Sequence, residues 1–293
     1  MVNRISDYLI TIPVIDSSCI DDFIYEKIEA YISRKYRNPL PELVAFTENL
    51  FFLRKAFGKN ISVYEPTKTI NDLINDTEVE FFPLEPPKIF QGAFLVEAKK
   101  QPLFDSVVGI GGYPSDNKYI LLFAEKDVTT GNIFSLQYDC RWDGHKITDD
   151  FKDWGYADYY EEAANRYLQH GIKYLVTLSL MLESENTPLE IVRDKKESSR
   201  AQKQSGQSLI ETKWSYNTIY VSFLFEQQKK EYEKSIKTES NENPDLVYSA
   251  IKVRGFIRRQ ACGKNWSDYK YIYISPYVAL RKTKSSNKKI TIK

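Results

Sequence analysis

Two histidines, His145 and His170, are all the imidazoles in this 293-residue chain. A multi-histidine metal site is thereby excluded, and few general bases near neutral pH are left. His145 stands in Arg141-Trp142-Asp143-Gly144-His145, where Asp143 could orient it for acid–base chemistry. Neighbouring turn residues acquire that pattern cheaply, and the segment reads as a hairpin turn. His170 precedes Gly171 in a helical stretch and reads as a capping or packing residue. The acids Asp149, Asp150, Asp153, Asp158, Glu161 and Glu162 could pair for hydrolysis, but their place before and inside a helix start makes them electrostatic caps. Gly109-Ile110-Gly111-Gly112 lacks the Gly-Lys-Ser/Thr ending of a phosphate loop and precedes a turn and a strand. It reads as a strand end or bulge. Cys19, Cys140 and Cys262 are odd in number, widely spaced and without a nearby His, so they suit a reducing compartment, the cytoplasm by default. No catalytic residue, metal site or cofactor is expected.

The C-terminal part holds residues with binding chemistry. With Val253 to Gln260 extended, Val253, Gly255 and Ile257 face one way and Arg254, Phe256, Arg258 and Gln260 the other. Ile272 and Ile274 alternate with Tyr269, Tyr271 and Tyr273 in the next strand. Pairing the apolar faces puts Arg254 and Arg258 beside Tyr271 and Tyr273, with Val253, Ile257, Ile272 and Ile274 packed beneath. Guanidinium groups among aromatic rings can stack on bases, grip phosphates or bind peptide carbonyls and carboxylates. An ordinary sheet face covered by a helix would show the same residues. The candidate partner-binding residues are Arg254, Arg258, Arg259, Gln260, Trp266, Tyr271 and Tyr273.

The elements that must position this hairpin form an α+β pattern. Residues 1–80 read as a helical N-terminal region: Asp21 to Tyr36 carries Phe23, Ile24, Ile28, Tyr31 and Ile32 at helical spacing, and Glu42 to Phe57 supplies a second helix, the two making a helical hairpin. A short helix near Ile70 to Asn75 precedes a Pro-rich connector. Residues 81–183 read as a central antiparallel sheet of consecutive hairpins with a packed helix from Tyr156 to Leu182, which Gly171 could split. Residues 184–218 read as an exposed polar linker, having too few apolar side chains to pack. Residues 219–293 hold the basic β-hairpin and a loose tail; Ile219 to Phe225 fits either a strand or a helix start. No run approaches the roughly 20 apolar residues of a membrane helix, and the N-terminus lacks a signal-peptide core and reads as part of the fold.

Charge is uneven along the chain. From Lys252 to Lys293, twelve Lys or Arg face one acid, Asp268, giving +11 against a whole-chain net of +1. An anionic partner such as RNA, DNA or an acidic protein surface would suit that segment. So would the chain's own acidic body.

Val253-Arg254-Gly255, Arg258-Arg259-Gln260, Gly263, Tyr271-Ile272-Tyr273-Ile274 and Pro276-Tyr277 together resemble the C-terminal signature of a phage- and plasmid-borne family that includes a type V-A anti-CRISPR protein. Members often read R-G-H-W-R-x-Q, a glycine, then an aromatic strand ending in P-Y; here Phe256 and Ile257 stand where His and Trp are usual. The resemblance implies a non-enzymatic binding protein that recognises the nascent N-terminal peptide of a CRISPR effector nuclease and lowers its production through loss of its mRNA. The partner expected is a polypeptide, as a nascent chain or ribosome-associated complex, or RNA, with no membrane. A nucleic-acid-binding regulatory or toxin–antitoxin component is the second reading, and an enzyme of unfamiliar design the third.

Overall fold

A computed structural model describes residues 4–15, 21–37, 41–79, 83, 85–98, 101–116, 118–126, 133–142, 147–149, 158–184, 186–187, 189–208, 211–222, 247–274 and 277–283. In chain order the first elements are α1 (Ile5–Leu9), α2 (Asp21–Lys35), α3 (Pro41–Phe57), β1 (Asn60–Pro66), α4 (Lys68–Asp76) and β2 (Glu78–Val79). The middle holds β3 (Phe94–Glu97), β4 (Val107–Ser115), β5 (Lys118–Lys126), β6 (Ile133–Trp142), β7 (Ile147–Asp149) and α5 (Asp158–Glu183). There follow β8 (Leu189–Arg193), α6 (Lys195–Gln204), β9 (Lys213–Val221), β10 (Val247–Val253), β11 (Phe256–Cys262), β12 (Asp268–Ile274) and β13 (Tyr277–Thr283).

The fold is α+β, and its centre is an eight-stranded sheet in the order β7-β6-β5-β4-β3-β1-β9-β8. Strands alternate their side chains between two apolar cores, as period-2 geometry requires. Leu121 and Phe123 of β5 join a core with α4 and α5, whereas Ile120 and Leu122 join one with α1, α2 and α3. Helices therefore cover both faces. On α2, Ile24, Ile28 and Ile32 are buried at successive four-residue steps, and the helix packs beside α3 as the expected hairpin. Phe23, counted with that stripe in sequence, is instead exposed.

Three expectations are corrected. The sheet is mixed rather than a purely antiparallel unit of residues 81–183: β1 lies parallel to both β3 and β9, so segments about 150 residues apart in sequence become neighbours. Their apolar runs are short, and only long-range pairing reveals that they share one sheet. Residues 184–218 are not simply a linker, since they contain β8, α6 and most of β9. The helix there is polar, but Ser198 and Ala201 are buried and small enough to bring it close to the sheet, while Asp194 caps its N-terminus by accepting from the backbone N–H groups of Lys196 and Glu197. Gly171 does not divide α5; a Cβ there would lie 1.9 Å from the Phe123 ring, so the glycine lets helix and sheet approach. The glycine cluster at 109–112 lies within β4, beside a register shift between Val107 and Gly109, in keeping with a bulge. Ile219 continues β9 as strand.

Candidate partner-binding hairpin

β11 and β12 form an antiparallel hairpin whose register decides which side chains share a face. Ile257 lies opposite Tyr273, Arg258 opposite Ile272, Arg259 opposite Tyr271 and Ala261 opposite Tyr269. One face thus carries Ile257, Arg259 and the three tyrosines; the other carries Phe256, Arg258, Gln260, Lys270, Ile272 and Ile274. This corrects the expected arrangement. Arg258 does not stand beside Tyr271 and Tyr273, and the packed side is the tyrosine side: Ile257 and Tyr273 are fully buried, whereas Ile272 is only half-buried. The expectation paired Ile257 with the isoleucine face of β12, whereas the register sets it opposite Tyr273; the backbone also leaves strand geometry at Arg254 and Gly255, and β10 pairs with β13 in a separate sheet. The Val253 side chain lies outside the described residues.

Two contacts dock the hairpin to the body. The Asn186 side chain acts as a one-residue strand, donating to the Tyr273 carbonyl at 2.6 Å and accepting from its N–H at 3.0 Å. On the other edge, β2 runs parallel to β11, with the Glu78 N–H donating to the Gly255 carbonyl at 2.8 Å. Arg254 meets Glu78 at 3.0 Å, but both side chains are mostly exposed, at 70% and 52%, so this pair adds little stability. Burial pushes the Tyr271 phenol up from its ordinary value, followed by the nearby Glu183 carboxylate.

The far end of the hairpin is different in kind. Gly263 has a φ of +76°, and a Cβ there would lie 2.4 Å from an Asp268 carboxylate oxygen, so glycine is needed to start the turn. A 3-10 turn over Lys264–Trp266 follows. Trp266 then adopts a φ of +59°, an uncommon backbone for a bulky residue, and its side chain is 70% exposed. Tyr269 is 58% exposed and carries the Arg259 guanidinium over its ring at 4.4 Å. Arg258 is exposed and donates to the Gln260 side chain at 3.3 Å. Of the expected residues, Arg258, Arg259, Gln260 and Trp266 gather near this end, whereas Tyr273 belongs to the core and Arg254 to the β2 junction. Tyr269, left out of the candidate residues in sequence, joins them at this end; its alternation with Tyr271 and Tyr273 was the available signal.

A second polar cluster was invisible in sequence. Arg4 is buried beneath α1 and reaches Asp7, Glu65 and Glu197 at 3.5, 3.8 and 3.5 Å, with its guanidinium 5.7 Å from the Tyr216 ring centre. Glu97 is buried beside it and takes donors from Ser6, and burial pushes its carboxyl up to about 7. This cluster anchors the N-terminal segment to the sheet and α6. His170, expected to cap or pack, is exposed on α5 and packs: its ring stands edge-on to Phe104 at 6.1 Å, and Nδ1 lies 3.3 Å from an Asp105 carboxylate oxygen. Cys140 is buried and Cys262 half-buried, neither in a disulfide. Among the described residues, no group of three His, Cys, Asp or Glu side chains could hold a metal ion, and no helix is long and apolar enough to cross a membrane. Asp143, His145, Asp150, Asp153, Cys19 and the tail after Thr283 lie outside the described residues, as do the side chains of Asp149, Asp158, Glu161 and Glu162.

Among solved structures, the crystal structure of AcrVA2 is similar to this chain over 93% of its length and 92% of the other chain, at a TM-score of 0.38 and 11% sequence identity. No family model matches the chain, and no curated protein matches it.

Proposed function

We propose that this chain is a non-enzymatic binding protein of anti-CRISPR-like kind, which engages a polypeptide partner through the free end of the β11–β12 hairpin. The carrying observation is Trp266, 70% exposed on a left-handed backbone, with Tyr269 also mostly exposed beneath the Arg259 guanidinium. Strained backbone and exposed aromatics add nothing to a core, and both features recur where proteins hold ligands. The residue signature from Val253 to Tyr277 supports a partner of the kind its family resemblance implies, the nascent chain of a type V CRISPR effector, whose production would fall through loss of its mRNA.

The test is co-expression with a type V effector and an unrelated nuclease, reading protein and mRNA of each. Effector mRNA should fall with the wild-type chain and recover with the Trp266→Ala, Tyr269→Ala double variant. Equal effector mRNA with and without the chain would refute the reading. The net charge of +11 from Lys252 to Lys293 favours one further reading, direct RNA binding. It would show as affinity for purified RNA that falls steeply with salt.

A further inference from the structure

The exposed large hydrophobic side chains of the described residues fall in three places: Phe23 and Tyr25 on α2, Trp266 and Tyr269 on the hairpin, and Ile191, Val192 and Tyr220 at the β8 edge of the large sheet. This last group is remote from the hairpin end in sequence and has no role in the reading above. β8 ends the strand order, pairing only with β9 among the described residues. Its inner hydrogen bonds can be assigned from register. Arg193 lies opposite Asn217, which puts Asp194 opposite Tyr216, and the Asp194 N–H donates to the Tyr216 carbonyl at 2.8 Å. Antiparallel pairs alternate, so Val192 and Glu190 also bond inward, while Ile191 and Arg193 turn their N–H and C=O groups away from the sheet.

Side chains flank that edge on both faces. Ile191 is 46% exposed on the α5 side, and Val192 and Tyr220 are 44% and 45% exposed on the α6 side. Edge strands are commonly blunted by proline, charged side chains or a bulge; β8, Leu-Glu-Ile-Val-Arg, has no proline and no register shift, and its charges at Glu190 and Arg193 flank the apolar Ile191-Val192 pair. Charge then selects the occupant. Immediately after β8, α6 exposes Lys195, Lys196, Arg200 and Lys203, and its single acid, Glu197, is engaged by Arg4 and Arg200. The cationic start of α6 lies beside the C-terminal end of β8, so an incoming strand that is acidic at the end nearest it is favoured.

We infer that β8 is a strand-addition site for an extended polypeptide with alternating β-branched residues and acidic side chains at the end that meets Arg193, Lys195 and Lys196. An incoming strand running antiparallel to β8 places its N-terminal residues there. Its backbone bonds to Ile191 and Arg193, and its side chains cover Ile191 on one face and Val192 with Tyr220 on the other.

The probe is a fluorescein-labelled peptide, Asp-Asp-Val-Thr-Val-Tyr-Val-Thr-Gly, titrated with the full chain by fluorescence anisotropy, beside a counterpart beginning Lys-Lys. Ile191→Pro removes an outward N–H and no inner ladder bond, so the variant stays folded by circular dichroism and thermal melting. Binding of the acidic peptide should weaken by about tenfold or more in Ile191→Pro, and Lys195→Glu with Lys196→Glu should reverse the preference between peptides. Should Ile191→Pro misfold, amide hydrogen exchange of the wild type supplies the same decision: Ile191 and Arg193 should gain protection on peptide addition. Equal binding by wild type and folded Ile191→Pro, no protection at Ile191, or a wild-type dimer that Ile191→Pro dissolves would each overturn the assignment.

Discussion

Ser6 donates both its backbone N–H and its hydroxyl to the carboxylate of Glu97, 91 residues further along the chain. Through that contact the N-terminal turn is fastened to the third strand, and a titratable group is sealed in the core. Burial pushes the Glu97 carboxyl from 4.5 to about 7, against the opposing pull of the Ser6 donors and Arg4; Asp7 nearby adds to the rise. The folded state therefore holds a proton that the unfolded chain has released between those values. Stability contributed at this site is greatest below pH 4.5, declines as pH rises toward 7 and levels off above it. Denaturant unfolding from pH 5 to 8 should show this decline, on the order of 1 to 3 kcal/mol, in the difference between wild type and Glu97→Gln. Parallel stability curves for the two proteins would mean that Glu97 does not titrate in this range.

The register of the hairpin makes opposite demands on two adjacent residues. Tyr273→Ala opens a cavity between β12 and α5 and should destabilise the protein by about 3 to 5 kcal/mol, whereas Ile272→Ala, on the half-exposed face, should cost about 1 kcal/mol. Chemical denaturation of the two variants checks the order. A larger loss for Ile272→Ala would restore the arrangement read from sequence.

That arrangement shows where the sequence was legible and where it was not. Local periodicity revealed α2, α3, α4, α5 and the hairpins of β4, β5 and β6, because each buries a face that repeats within its own segment. It placed Arg259 and Trp266 on a hairpin around the right loop, but ran the first strand through the break at Arg254 and Gly255. The face of that hairpin was misjudged because Tyr273 counts as amphipathic in composition, yet the Asn186 amide and the core above β2 select its burial. β1 and β9 pair across a gap no local pattern spans, and α6 packs through Ser198 and Ala201, which carry almost no hydropathy signal. The Arg4 cluster draws on α1, β1, β3, α6 and β9 and exists only once all five are assembled.

Gly171→Ala sets two effects against each other. Alanine in a helix interior gains about 1 kcal/mol over glycine, but its Cβ would lie 1.9 Å from a Phe123 ring carbon. Overpacking should win, with a net loss of about 1 to 3 kcal/mol. The paired change Phe123→Leu, Gly171→Ala should recover part of it relative to the sum of the single variants in a double-mutant cycle. Strict additivity would show that the two positions do not touch.

The segment from Leu189 to Gln204 is folded rather than a loose connector, so early proteolytic cuts should fall outside it. Asp194→Ala removes acceptors for the Lys196 and Glu197 N–H groups and should cost about 1 kcal/mol. It should also raise the rate of cleavage within α6, read by mass spectrometry of limited digests. Early cutting inside residues 195–204 of the wild type would mean the cap and the Ala201 contact hold α6 too weakly to count as part of the sheet's cover.

Trp266 separates stability from binding most sharply. Its left-handed backbone is one that glycine adopts without penalty, and a non-glycine residue there gives up about 1 kcal/mol. Its indole is 70% exposed and buries little area that would repay the strain. Trp266→Gly should therefore leave the melting temperature unchanged or raise it by a few degrees, the shift expected of up to about 1 kcal/mol in a chain of this size. The same variant should lose its effect on effector mRNA in the co-expression assay, because the ring that offers contact area is gone. Trp266→Ala keeps the backbone strain and removes the ring; it should match Trp266→Gly in function and fall below it in stability. If Trp266→Gly instead melts several degrees lower, the indole is holding the loop through contacts of its own, and the hairpin end loses the feature that marks it as a binding surface.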